Sequence, residues 1–173
     1  MLTPSVILSP MIIRPYTPDD VETLAALYRD SVTGLGATAY TPEQIAVWAA
    51  FADDLPKFRK FLSQGYTHIA EVDGVLVAFC QRHPEDHIAL LYTATRFARR
   101  GFATAVYRAI EAHARECNQT VLTTDASKLS RPFFEKEGYT VCRTEQSFRE
   151  GISFERFQMN KPLDAVASRS VTP

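Results

Sequence analysis

The chain has 173 residues and a formal net charge of -1, with 46% hydrophobic and 23% charged residues. This suits one globular domain with a proper core and no global basic field for nucleic acid or an anionic membrane. No apolar run approaches the ~20 residues that span a bilayer, and "MLTPSVILSP" lacks the basic start and long apolar stretch of a signal peptide.

Residues 1–10 read as an extension before the fold, residues 11–163 as the domain and residues 164–173 as a frayed tail. Cys80, Cys117 and Cys142 are odd in number and form no C-x-x-C pair. Reduced thiols in a cytoplasmic protein are therefore expected, with no metal site.

"MIIRPY" reads as a strand. "TPDD" then supplies a helix start, with Thr17 as N-cap and Pro18 at the first helical position. Val21, Leu24, Ala25, Leu27 and Tyr28 follow at helical spacing, and "GLG" at 34–36 is expected to break that helix. "TPEQ" starts a second helix with a capping box from Thr41 to Gln44. A third helix, "DLPKFRKFLSQG", is expected to stop at Gly65 as a C-cap.

"YTHIAEV" and "VLVAFCQ" are strand-like runs joined by Asp73-Gly74, a two-residue hairpin signal. "VLVAFC" is continuously apolar, as in a strand buried on both faces. "HIALLYT" is a further strand. The helix after Gly101 places Ala103, Val106, Tyr107, Ile110, Ala114 and Cys117 on one face, with Arg108, Glu111 and Arg115 away from it. "TVLTTDA" is a strand, and "SKLSRPFFEKEGY" holds a short helix ended by Gly138. Two closing strands flank Glu150-Gly151. The order predicts an α/β fold, a mixed sheet covered by helices.

The informative stretch is "TRFARRGFATAVYRAIEAHA". A strand, a short basic loop and a helix start make an anion site, because the first helical N–H groups lack intrahelical partners and the dipole is positive there. Gly101 has no Cβ, so a phosphate can approach the backbone; alternatively it only permits a turn. Arg99 and Arg100 add charge, and Thr104 adds a hydroxyl. Neither a G-x-x-x-x-G-K-[ST] loop nor a G-x-G-x-x-G fingerprint is present.

With these residues in place, "LLYTATRFARRGFATAVYRAIEAHA" resembles motif A of the GCN5-related N-acetyltransferases (GNAT), and Ala98 to Ala103 are similar to its [QR]-x-x-G-x-[GA] loop. "DASKLSRPFFEKEGYTV" looks like motif B. "YTPEQIAVWA" is similar to a subgroup of small bacterial members. The resemblance runs from about Met11 to Leu163 and implies the GNAT fold, a mostly antiparallel sheet with a splayed parallel strand pair.

The resemblance further implies acetyl-coenzyme A as acetyl donor and no metal. Leu91, Tyr92 and Thr93 would offer backbone to pantetheine, and Arg99, Arg100, Gly101, Phe102, Ala103 and Thr104 would hold the pyrophosphate. Ser127 would contact the cofactor or cap the next helix. Three departures stand out: Ala98 replaces the usual Gln or Arg, Phe134 replaces a proton-donating tyrosine, and Ala89 sits where some members carry an acid.

The implied reaction is direct attack of a primary amine, of a small molecule or protein, in a ternary complex. An amine with a pKa near ~10 needs a base at neutral pH. Asp125 is the first candidate base and otherwise a loop brace. His87 is the next, titrating near ~6.5 when unperturbed, and otherwise an exposed turn residue of "HPEDH". That segment lacks the helical spacing of a metal site. Tyr139 is a candidate acid or a core aromatic. Tyr40 and Trp48 are candidate walls of an acceptor pocket or core residues. No nucleic-acid or membrane partner is expected, and a homodimer is left open. The alternative functions are a catalytically weak acyl-coenzyme A sensor and an acidic-partner binder.

Overall fold

The computed structural model describes residues 10–164. The predicted 1–10 extension and 164–173 tail fall almost wholly outside that range. Seven strands form one sheet in the order β1-β2-β3-β4-β5-β7-β6. They are β1 (Ile12–Pro15), β2 (Tyr66–Val72), β3 (Val75–Arg82), β4 (His87–Thr93), β5 (Val121–Ala126), β6 (Thr140–Arg149) and β7 (Ile152–Pro162). All neighbours are antiparallel except β4 and β5, which run parallel. The mixed sheet covered by helices is as the strand order predicted.

The local signals account for the turns. Asp73 and Gly74, and Glu150 and Gly151, all have positive φ, the conformation a two-residue hairpin of matching twist requires. Thr41 and Gln44 close the capping box at the start of α2 (Pro42–Ala49). Gln44 Nε2 also donates to the Ser153 carbonyl at 2.8 Å, tying α2 to β7.

Both faces of the sheet are covered. On one, Leu24, Tyr28, Phe58 and Leu62 from α1 (Val21–Gly36) and α3 (Leu55–Gln64) pack on Ile69, Phe79 and Leu90. On the other, Val106, Tyr107, Ile110 and Ala114 of α4 (Phe102–Glu116) pack with Phe134 of α5 (Arg131–Lys136) on Ala78, Leu122 and Met159. Burial on both sides explains the continuous apolar run of β3.

Three local expectations are corrected. The GLG stretch does not break α1, which runs through Gly36. Gly34 serves close approach instead: a Cβ there would meet Thr95 Oγ1 at 2.2 Å. Gly65 is the C-cap of α3 as expected, in extended backbone, and a Cβ there would meet His83 Cβ at 2.6 Å. Cys117 is exposed. Glu111 is buried, because Lys161 of β7 and Arg115 reach its carboxylate and Tyr107 donates to it at 2.5 Å. Helical periodicity assigns a face but cannot see a cation arriving from another strand.

Candidate active site

β4 and β5 pair only at His87↔Thr123 and Ile88↔Thr124. Beyond that point each keeps its other neighbour: β4 follows β3 to Thr93, and β5 follows β7 to Ala126. The two strands therefore diverge, leaving Ala89–Thr93 without β5 partners. Ala89 is the extra residue where the β3–β4 register shifts, and such a bulge bends its strand and re-aims its neighbours. Thr124 Oγ1 donates to the Ile88 carbonyl at 3.0 Å and closes the base of the notch.

The notch opens into a cleft of about 500 Å³. Among the predicted residues, His87, Leu91, Tyr92, Thr93, Ala103, Asp125, Ser127, Tyr40 and Trp48 line it. One wall is aromatic. Tyr40 and Trp48 stack edge-on at 5.2 Å, Phe154 lies 6.1 Å from Tyr40, and Trp48 Nε1 donates to Tyr92 Oη at 3.1 Å. Tyr40 Oη accepts from the Lys128 amide at 2.9 Å. Both of these aromatics are thus anchored by hydrogen bonds while facing the cleft.

His87 sits at the paired base of the strands, with Nδ1 3.0 Å from Thr123 Oγ1. Burial lowers its pKa, while the charges of Asp125 and Asp86 act in the opposite sense. Asp125 lies 3.2 Å from Arg156 Nη1, and Arg156 also bonds Glu145. Ser127 Oγ accepts from the Ser130 amide at 3.1 Å, bracing the turn into α5.

Arg99, Arg100, Gly101, Phe102 and Thr104 lie outside that lining, on the adjoining loop and helix start. Gly101 is the N-cap residue of α4, with φ of 86°. A Cβ there would meet nothing within 4 Å. The constraint is therefore backbone conformation, with open space in front. Arg99 also has positive φ, at 59°. The Ala105 amide is the first to bond back, to the Gly101 carbonyl at 3.0 Å, so the amides of residues 102–104 start the helix without intrahelical acceptors. Arg99 and Arg100 are exposed, and among the described residues no carboxylate pairs with either. The loop is braced from α1, where Asp30 accepts from the Thr95 amide at 2.6 Å.

Tyr139 is buried and does not line the cleft. Its hydroxyl lies 3.2 Å from that of Tyr107, and burial raises its pKa. Phe134 does line the cleft and is almost wholly buried. Among the described residues no group of three His, Cys, Asp or Glu is placed to hold a metal, and no helix is long and apolar enough to cross a membrane.

Sequence reasoning missed Arg149, Phe154, Glu155 and Arg156, which also line the cleft. The Glu150-Gly151 turn signal located their hairpin. Nothing local told that its tip folds back beside α2.

The chain matches the acetyltransferase (GNAT) domain family over residues 36–161. It is 30% identical over 147 residues to YafP of Escherichia coli K12, an uncharacterized N-acetyltransferase, covering 85% of this chain and 93% of that protein. A GCN5-related N-acetyltransferase structure from Rhodopseudomonas palustris, titled "Aminotransferase, Class-II", superposes with TM-score 0.87 and 34% identity, covering 92% of this chain and 99% of the other. The PaiA N-acetyltransferase of Thermoplasma acidophilum, solved in complex with coenzyme A, shares the fold with TM-score 0.72 and 17% identity, covering 89% of this chain and 99% of the other. Divergent strands, a bulged β4 and an open helix start after a basic loop thus agree with the family match over most of the chain: this protein belongs to the GCN5-related N-acetyltransferases.

Proposed function

We propose that the protein is an N-acetyltransferase that moves an acetyl group from acetyl-coenzyme A to a primary amine by direct attack in a ternary complex, in the cytoplasm. The observation that carries this reading is the divergence of β4 from β5 beside the unbonded start of α4. The residues fit the donor: the space before Gly101 is open, and the free amides of residues 102–104, with Arg99 and Arg100, form an electropositive end suited to a diphosphate. The coenzyme A complex of PaiA supports the same choice.

Bound there, acetyl-coenzyme A supplies an activated thioester. Leu91, Tyr92 and Thr93 offer backbone along the notch, and unpaired β4 amides are the available oxyanion donors. Among the described residues no cysteine lines the cleft, which favours direct attack over a cysteine acyl-enzyme. His87 fits the role of base better than Asp125. Burial keeps its imidazole uncharged at neutral pH, ready to take a proton from the amine directly or through water. Asp125 is tied to Arg156 and acts by favouring the imidazolium form. Ser127 serves the turn and remains within reach of the cleft. Tyr40 and Trp48 hold the acceptor's apolar body.

The test is coenzyme A release from acetyl-coenzyme A across a panel of amines, beside thermal stabilisation by acetyl-coenzyme A alone. Saturation at 100 times the dissociation constant stabilises by about 2.7 kcal/mol. Absence of any stabilisation rejects the reading. Stabilisation without turnover of any amine favours the sensor alternative, consistent with Phe134 standing where the proton donor was expected.

A further inference from the structure

The cleft's charges are unequally committed. Among the described residues two acids and two arginines line it: Asp125, Glu155, Arg149 and Arg156. Arg156 is neutralised on two sides, by Asp125 at 3.2 Å and by Glu145. Glu155 reaches Lys128 Nζ only at 3.9 Å. Arg149 has no carboxylate at ion-pair distance among the described residues. Its guanidinium lies 5.8 Å from the Phe154 ring centroid, on the aromatic wall formed with Tyr40 and Trp48. Tyr28, Tyr40 and Tyr92 have their hydroxyl pKa values raised by burial, and the Arg149 charge opposes that rise in each. Three tyrosine hydroxyls from α1, the loop before α2 and β4 therefore lie within range of one cation.

A guanidinium with tyrosine hydroxyls but no carboxylate near it, beside an aromatic wall, is a receptor for a planar anion, which it can bind through two parallel N–H donors. The same cleft carries His87, Asp125 and Glu155, a place for an amine. Resting on the N-acetyltransferase reading, we propose that the acceptor is an amino acid-like compound whose carboxylate docks on Arg149 and whose apolar body lies along Tyr40, Trp48 and Phe154. A wholly cationic acceptor such as a polyamine would leave Arg149 facing like charge.

The experiment compares amino acids with their C-terminal amides, using leucine, phenylalanine and tryptophan with acetyl-coenzyme A. The amide keeps shape and removes charge. Its amine is also less basic, hence more fully unprotonated, so amine basicity works against the expected result. The wild type is expected to favour the carboxylate by about tenfold or more in kcat/KM, the scale of a charge-assisted hydrogen bond. Arg149→Gln is expected to bring that ratio to about one, and Arg149→Lys to retain part of it. Equal rates for acid and amide in the wild type, or an unaltered preference in Arg149→Gln, overturn the inference while leaving acetyl transfer intact. Calorimetry on coenzyme A-saturated protein supplies a readout without turnover. Carboxylate-dependent binding that Arg149→Gln abolishes, with no amine acetylated, sustains the anion site and rejects acetyl transfer. No binding and no turnover across all three pairs overturns both.

Discussion

The two ends of the cleft are built from different materials. The proposed donor end is mainly backbone: a strand whose β5 side is left unpaired from Ala89 to Thr93, a glycine with φ of 86° and a helix start whose first amides are open. The proposed acceptor end is side chains from four separate segments, with Tyr40 before α2, Trp48 on α2, Tyr92 on β4 and Phe154 on β7. Backbone cradles tolerate most side-chain changes and respond to few residues. A side-chain wall can be rebuilt one residue at a time, so one donor can serve many acceptors.

The largest effect expected is from His87→Gln, between the two ends. Losing a base costs about 100-fold or more in turnover, with coenzyme A affinity retained. Unchanged turnover in this variant removes His87 from the chemistry.

Next is Gly101→Val. Forcing a β-branched residue into left-handed backbone costs about 1–3 kcal/mol, and its methyls occupy the open space before the loop. Coenzyme A affinity is expected to fall about 10-fold to 100-fold by calorimetry, well beyond any loss in urea-unfolding stability expressed on the same scale. Equal losses reduce Gly101 to a turn residue.

Asp125→Asn is expected to be milder, a several-fold loss of turnover on the scale of a screened charge interaction. Its sharper readout is pH. Burial lowers the His87 pKa and the Asp125 charge raises it. The neutral imidazole is the active form, so kcat/KM should rise with pH through a value below 6.5. Removing the Asp125 charge destabilises the imidazolium and moves that limb to lower pH. A shift to higher pH contradicts the assignment.

The smallest expected effect comes from Gly34→Ala, far from the chemistry. Alanine gains about 1 kcal/mol of helix propensity over glycine, but its Cβ meets Thr95 Oγ1 at 2.2 Å. Because Asp30 and Thr95 hold the segment leading to Gly101, coenzyme A affinity should weaken about threefold. Adding Thr95→Ala should restore part of it. A variant that binds as well as wild type shows that α1 does not brace the loop.

Burial of neutral histidines has a separate consequence for folding. His68 and His87 both have lowered pKa values, chiefly through burial. The unfolded chain binds more protons than the folded one in that range. Stability therefore falls as pH drops below the unfolded histidine value near ~6.5.

The amino-acid sequence by itself determined the elements and the backbone features of the proposed donor end. Turn chemistry at Asp73-Gly74 and Glu150-Gly151, the Thr41–Gln44 box and the Gly101 helix start act within a few residues, and such local rules are legible without a fold. The GLG stretch at 34–36 misled because Gly34 answers to Thr95 across space. Glu111 misled for a like reason, since Lys161 arrives from a strand fifty residues on. Only the tertiary structure decided which side chains share the cleft, leaving Arg149 without a carboxylate among the described residues while Arg156 has two. Ion pairing and packing depend on distances between remote segments, and no local pattern encodes those.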